Sequence, residues 1–155
     1  MSGVVRELPD AAATEALGAA LAAALPAGVV HLHGELGAGK TALARGVLRA
    51  RGVTGPVRSP TYTLLEPYAT ASGTVLHLDL YRLADPEELH FLGIEEVAAP
   101  GTLALVEWPE RGAGALPGAD LAVTLVYAGS ARRAWLAASG ERGQAALAAL
   151  APGAP

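Results

Sequence analysis

Cysteine is absent from the 155-residue chain. That removes disulfides and thiolate zinc sites, and with them the stapled secreted scaffolds and the zinc-finger class. Aromatic residues make up only 5% of the sequence, whereas 52% is hydrophobic and mostly Ala, Leu and Val. The core is therefore expected to be small and aliphatic, with little ring stacking. No apolar run reaches the roughly 18 residues a membrane span requires. The opening MSGVVRELPD also lacks the basic-then-apolar layout of a signal peptide. A cytoplasmic chain with no membrane partner is expected. Four dispersed His (31, 33, 77 and 90) do not suggest a metal centre. A net charge of −4 gives no strong general attraction to nucleic acid. The charge is uneven, however: residues 42–65 carry Arg45, Arg49, Arg51 and Arg58 with no acid, and residues 79–110 carry eight acids with one Arg. These stretches read either as solvated helix faces or as a basic docking edge for a protein or for RNA held by one.

The length suits one domain, 1–155, with its core at about 8–138 and a weak helix over 141–151. Asp10 caps an Ala-rich helix that stops at Pro26 to Gly28. GVVHLHG then reads as a buried strand, and TALARGVLRARG as an amphipathic helix closed by Gly52. TYTLLEPY and TVLHLDLYRL are expected to pair as an antiparallel hairpin across ATASG. DPEELHFLG starts like a short surface helix, with Asp85 as cap and Pro86 at its first position. TLALVEW is a further buried strand, and ADLAVTLVYA with RRAWLAA forms a last antiparallel pair.

Lysine is the other scarcity, because ten arginines accompany only Lys40. It lies in GELGAGKT, where Gly34, Gly39, Lys40 and Thr41 satisfy G-x-x-x-x-G-K-[S/T]. Glycines 34, 37 and 39 let successive amides curl around a phosphate, and the following helix aims its free amides at the same anion. A compact ammonium on a flexible stem suits the β and γ phosphates better than a planar guanidinium does. Thr41 offers a hydroxyl to Mg²⁺. A magnesium site also needs a carboxylate at the end of a neighbouring strand, and Asp79 and Glu107 both fit. Glu107 is assigned to the metal, directly or through water, and Asp79 to the metal's outer shell or to the attacking water. Asparagine is wholly absent, so the N-K-x-D signature that reads guanine cannot occur. Adenine is favoured, and ATP is the expected ligand.

GELGAGKT, SPTYTLLEPY, HLDLYRLADPEELHFLGIEE, LALVEWPERG and SARRAWL, in that order, closely resemble the TsaE (YjeE) family, the bacterial ATPases of tRNA threonylcarbamoyladenosine synthesis. The resemblance runs from Leu8 to Trp135. It implies an α/β, P-loop NTPase-like fold, a mixed β-sheet flanked by helices in a single domain. It also implies work in a complex with TsaB and TsaD, with tRNA reached through that complex. Carried over by position, Leu36, Gly37, Ala38, Gly39, Lys40 and Thr41 bind the phosphates, and Thr41 and Glu107 hold Mg²⁺. Lys40, Asp79 and Glu107 form the catalytic set, with Trp108 a further candidate. Ser59 and Thr61 lie in a switch-like loop, Arg132 near the nucleotide, and the adenine contact falls around Ala11 to Thr14. Glu35 replaces the family's frequent Asp.

The expected activity is thus a Mg²⁺-dependent ATPase, weak in isolation, that drives a conformational cycle in its partners. Arg82 or Arg58 in cis, or a partner residue in trans, is the candidate arginine finger. Direct tRNA contact through Arg45 to Arg58 is a further possibility. The alternatives are a P-loop kinase for a small metabolite, which would normally carry more lid arginines than Arg111, and an adaptor that binds ATP without hydrolysis.

Overall fold

A computed structural model describes residues 3–57 and 59–151. Seven strands, β1 (Gly3–Leu8), β2 (Gly28–His33), β3 (Leu65–Thr70), β4 (Gly73–Asp79), β5 (Thr102–Glu107), β6 (Leu121–Ala128) and β7 (Ala131–Ala138), form one mixed sheet. Their order is β1-β7-β6-β2-β5-β4-β3. β2 lies parallel to both β5 and β6, and β4 parallel to β5, whereas β3–β4, β6–β7 and β1–β7 are antiparallel. Central parallel strands are covered on both faces, and the continuous apolar runs of β2 and β5 are what that requires.

Helices α1 (Ala11–Ala24), α2 (Lys40–Ala50) and α3 (Gly140–Leu150) cover one face. There Val30, Leu32, Leu103 and Leu105 meet Leu17, Leu21, Leu43 and Leu147 in the larger core. On the other face, Val29, Leu76, Leu78, Ala104 and Val106 pack beneath the 3₁₀ helices Pro86–Leu92 and Ile94–Ala98. The Asp10 carboxylate accepts the Ala13 amide at 2.8 Å, the expected cap of α1. Gly18 and Gly46 bring α1 and α2 into backbone contact. A Cβ on Gly46 would lie 2.0 Å from the Glu15 carbonyl oxygen, and one on Gly18 would lie 2.2 Å from that of Leu43. This contact seats the middle of α2, the helix that Lys40 opens, against α1.

Four boundaries differ from the sequence-based expectation. The segment after Asp85 is 3₁₀ rather than α, because the Glu88 amide bonds three residues back to Asp85 O at 3.0 Å. The strand expected from Thr61 begins only at Leu65: residues 61–63 form a turn closed by the Leu64 amide on Pro60 O, and Leu64 itself has φ 68. β4 ends at Asp79 instead of running on to Leu83, because the Leu80 amide crosses to Glu107 O and Leu83 folds back onto Leu80 O. β1 was not anticipated. It alternates inward Val4 and Leu8 with outward Val5 and Glu7, and it forms one edge of the sheet against β7.

Candidate nucleotide site

The loop between β2 and α2 carries Gly34 at φ 148, Gly37 at φ 80 and Gly39 at φ 112, a conformation that side chains with a Cβ rarely adopt. Close approach adds a second reason at Gly37, where a Cβ would lie 2.7 Å from the Tyr127 hydroxyl. That hydroxyl donates to Leu36 O at 2.7 Å, and the Arg132 guanidinium donates to Gly37 O at 3.3 Å while stacking 4.2 Å over the Tyr127 ring. Strands β6 and β7 thereby pin the loop from its outer side. Arg132, expected near the nucleotide, thus lies against the loop, and Tyr127 joins it without any signal in the sequence.

Lys40 is 5% exposed. Its ammonium donates to Gly34 O and, at 3.3 Å, to Glu35 O, and it sits 3.9 Å over the Trp108 ring. Burial pushes its pKa below the ordinary value, and the Glu107, Asp79 and Glu110 carboxylates pull it partly back. The cation is therefore folded onto its own loop's carbonyls, with the three carboxylates nearby.

Asp79 and Glu107 are register partners across β4 and β5 and end those strands side by side. The Thr41 hydroxyl donates towards Glu107 at 3.3 Å (Oε2) and 3.4 Å (Oε1). Glu107 Oε2 also lies 2.6 Å from His77 Nε2. Asp79 accepts from the Ser59 hydroxyl, from the Thr61 hydroxyl at 3.1 Å and from the Tyr81 amide at 3.0 Å. The turn that displaces the start of β3 is what delivers Ser59 and Thr61 to Asp79. Trp108 follows Glu107 with φ 56, an uncommon conformation for a bulky residue, and its ring meets Tyr81 at 4.9 Å. His77 was not among the expected site residues. The signal was present, because side chains two apart on a strand share a face and His77 is two before Asp79.

Two clefts meet at Gly39. One, of about 410 Å³, is lined by Lys40, Thr41, Ser59, Asp79, Glu107 and Trp108. The other, of about 240 Å³, is lined by Asp10, Ala11, Thr14, Ala38, Gly39 and Arg132. Lys40, Thr41, Asp79 and Glu107 thus converge on one opening, and Ala11 and Arg132 on the adjacent one. Arg82 lines the larger cleft but is engaged by Tyr62, with its guanidinium 4.5 Å over that ring. Arg58 lies outside the described residues. Of the basic stretch, Arg51 donates to Ala22, Leu25 and Pro26 carbonyls and Arg49 to Val53 O, so both help to close helix ends.

A strand, a glycine loop with its lysine, and a helix, set among the parallel strands of a mixed sheet with carboxylates ending β4 and β5, define a P-loop fold. The family model for "Threonylcarbamoyl adenosine biosynthesis protein TsaE" matches residues 8–135. The chain is 48% identical over 122 residues to the tRNA threonylcarbamoyladenosine biosynthesis protein TsaE of Haemophilus influenzae, covering 79% of this chain and 77% of that one. It is 43% identical over 109 residues to the protein of the same name from Synechocystis, covering 67% and 69%. Among solved structures, Bacillus subtilis YdiB superposes with a TM-score of 0.80 at 28% identity, covering 94% of this chain and 91% of that one. The chain belongs to the TsaE family, whose role is in tRNA threonylcarbamoyladenosine biosynthesis. No helix among the described residues is long and apolar enough to cross a membrane.

Proposed function

We propose that the chain binds and hydrolyses ATP with Mg²⁺ at this loop, as a nucleotide-driven switch acting with TsaB and TsaD in threonylcarbamoyladenosine modification of tRNA. The observation that carries the reading is the convergence of Lys40, Thr41, Asp79 and Glu107 on one cleft at the ends of β2, β4 and β5. The donor set fits a hard dication, with a hydroxyl and a carboxylate already within 3.4 Å of each other. Thr41 and Glu107 would hold it, and Lys40 would exchange its loop carbonyls for phosphate oxygens. When bound, Mg²⁺ neutralises charge on the phosphates and orients them.

Leu36 to Gly39 supply backbone amides to the phosphates, and the amino end of α2 adds its dipole. Asp79 is the group suited to orient the attacking water. Its carboxylate is at present held by Ser59 and Thr61, so a change at Asp79 is transmitted to the 59–64 turn. The adenine is assigned to the smaller cleft beside Ala11 and Arg132. Arg82 is tied to Tyr62, which accords with slow turnover alone and acceleration by partners.

The test is Glu107→Ala, measured for ATP binding and for phosphate release with Mg²⁺. Hydrolysis is expected to fall far more than binding. Equal loss of both, or loss of neither, contradicts the assignment of Glu107 to the metal.

A further inference from the structure

His77 lies wholly buried on β4, and Nε2 has one hydrogen-bond partner among the described residues, Glu107 Oε2 at 2.6 Å. Its other ring nitrogen, Nδ1, is buried with no partner among the described residues. A buried polar atom without a partner is unfavourable, and an aliphatic side chain at this place would avoid it. Val75, two residues earlier on the same face, shows that β4 accepts one. The imidazole therefore serves no network of its own, and the polar group it engages is the carboxylate assigned to Mg²⁺.

The register explains how it reaches that carboxylate. Glu107 stands opposite Asp79, and His77 opposite Leu105, so the His77 contact is the diagonal one, on the side away from the strand ends. Facing a carboxylate, Nε2 carries the proton and donates it. Oε2 is then shared by His77 and Thr41, while among the described residues Oε1 has only the Thr41 hydroxyl at 3.4 Å. The bond fixes the plane of the carboxyl group and leaves Oε1 the less engaged oxygen, beside the threonine that the same cation would use.

We infer that His77 is a positioning residue: its Nε2–H orients the Glu107 carboxylate for Mg²⁺, and it sets magnesium affinity without touching nucleotide. The inference rests on the proposed role of Glu107 as a magnesium ligand. Partners of this kind typically contribute about 10–100-fold to metal affinity.

The test separates reach from volume. Glutamine places an N–H near the position of Nε2, asparagine reaches only as far as Nδ1, and leucine fills the space with no donor. ADP affinity is measured by calorimetry at stepped Mg²⁺ concentrations and in EDTA, for the unmodified chain, His77→Gln, His77→Asn, His77→Leu and Glu107→Gln. In EDTA, ADP affinity should agree within about twofold among the chain and its three His77 variants. The Mg²⁺ concentration for half-maximal tightening should rise about 10–100-fold in His77→Asn and His77→Leu and stay within about twofold in His77→Gln. Should His77→Leu not fold, the glutamine and asparagine variants decide. Identical Mg²⁺ responses in those two, or no shift in either asparagine or leucine, overturns the inference. A shift in Glu107→Gln without one in His77→Asn leaves the metal reading standing and removes His77 alone. No shift in Glu107→Gln refutes the metal reading, and the His77 inference falls with it.

Discussion

Replacing Lys40 with methionine keeps most of the stem and removes the cation. In the free protein that deletes the charge-assisted bonds to Gly34 and Glu35 carbonyls and the contact 3.9 Å above Trp108. Hydrogen bonds to a charged group contribute about 1.5–3 kcal/mol. Against this, the variant no longer buries an ammonium, a cost expressed in the lowered Lys40 pKa. The two effects oppose, so stability should change by no more than about 1–2 kcal/mol. Nucleotide binding has no such compensation, since the ammonium would face phosphate. Losing about 1.5–3 kcal/mol there weakens binding about 10- to 150-fold at 1.36 kcal/mol per decade. Calorimetric titration with ATP and Mg²⁺, paired with thermal melting of the free protein, measures both. An affinity within about twofold of the parent's refutes the assignment of Lys40 to phosphate, and a large loss of stability shows the lysine to be structural.

The lowered Lys40 pKa has a pH consequence. Between its folded pKa and the ordinary 10.5 the unfolded chain binds more protons, so stability from this group rises with pH across that alkaline window. The melting difference between the parent and Lys40→Met should drift in the parent's favour as pH is raised towards 10.5, and a drift the other way contradicts it. Gly46→Ala places a Cβ 2.0 Å from Glu15 O, where ordinary contact begins at 3.4 Å, so α1 and α2 must part by over 1 Å. Overpacking of about 1–3 kcal/mol, taken towards its upper end because backbone rather than a flexible side chain must yield, outweighs a helix-propensity gain of at most about 1 kcal/mol and leaves about 1–2 kcal/mol of destabilisation. The melting point should fall by about 2–8 °C, and an unchanged one refutes the close contact. Asp10→Ala removes the α1 cap and should reduce stability by about 1 kcal/mol in a denaturant titration.

The parts of this molecule that obey local rules were legible in its sequence. Asp10 capping, the buried β2 and β5 runs and the Gly52 stop each depend on neighbours in the chain, and each appears where the residues point. The P-loop was legible for the same reason, because its backbone demands are local. What escaped depends on distant partners. β1 is a six-residue strand directly before Pro9, and its partner β7 lies more than 120 residues away. The 61–64 turn overrides strand-like residues because Ser59 and Thr61 bond to Asp79. Tyr127 reaches Leu36 O across 91 positions, a contact that spacing does not announce. His77 was readable from two-residue periodicity, but only once Asp79 had been placed on the site face.

ATP turnover tests most directly the proposed nucleotide switch whose work is done in partners. Phosphate release should be slow for the chain alone. With TsaB, TsaD and tRNA present it should rise at least about tenfold, towards the 10³–10⁵ that a supplied arginine can give. The same slow rate with and without those partners would contradict the account.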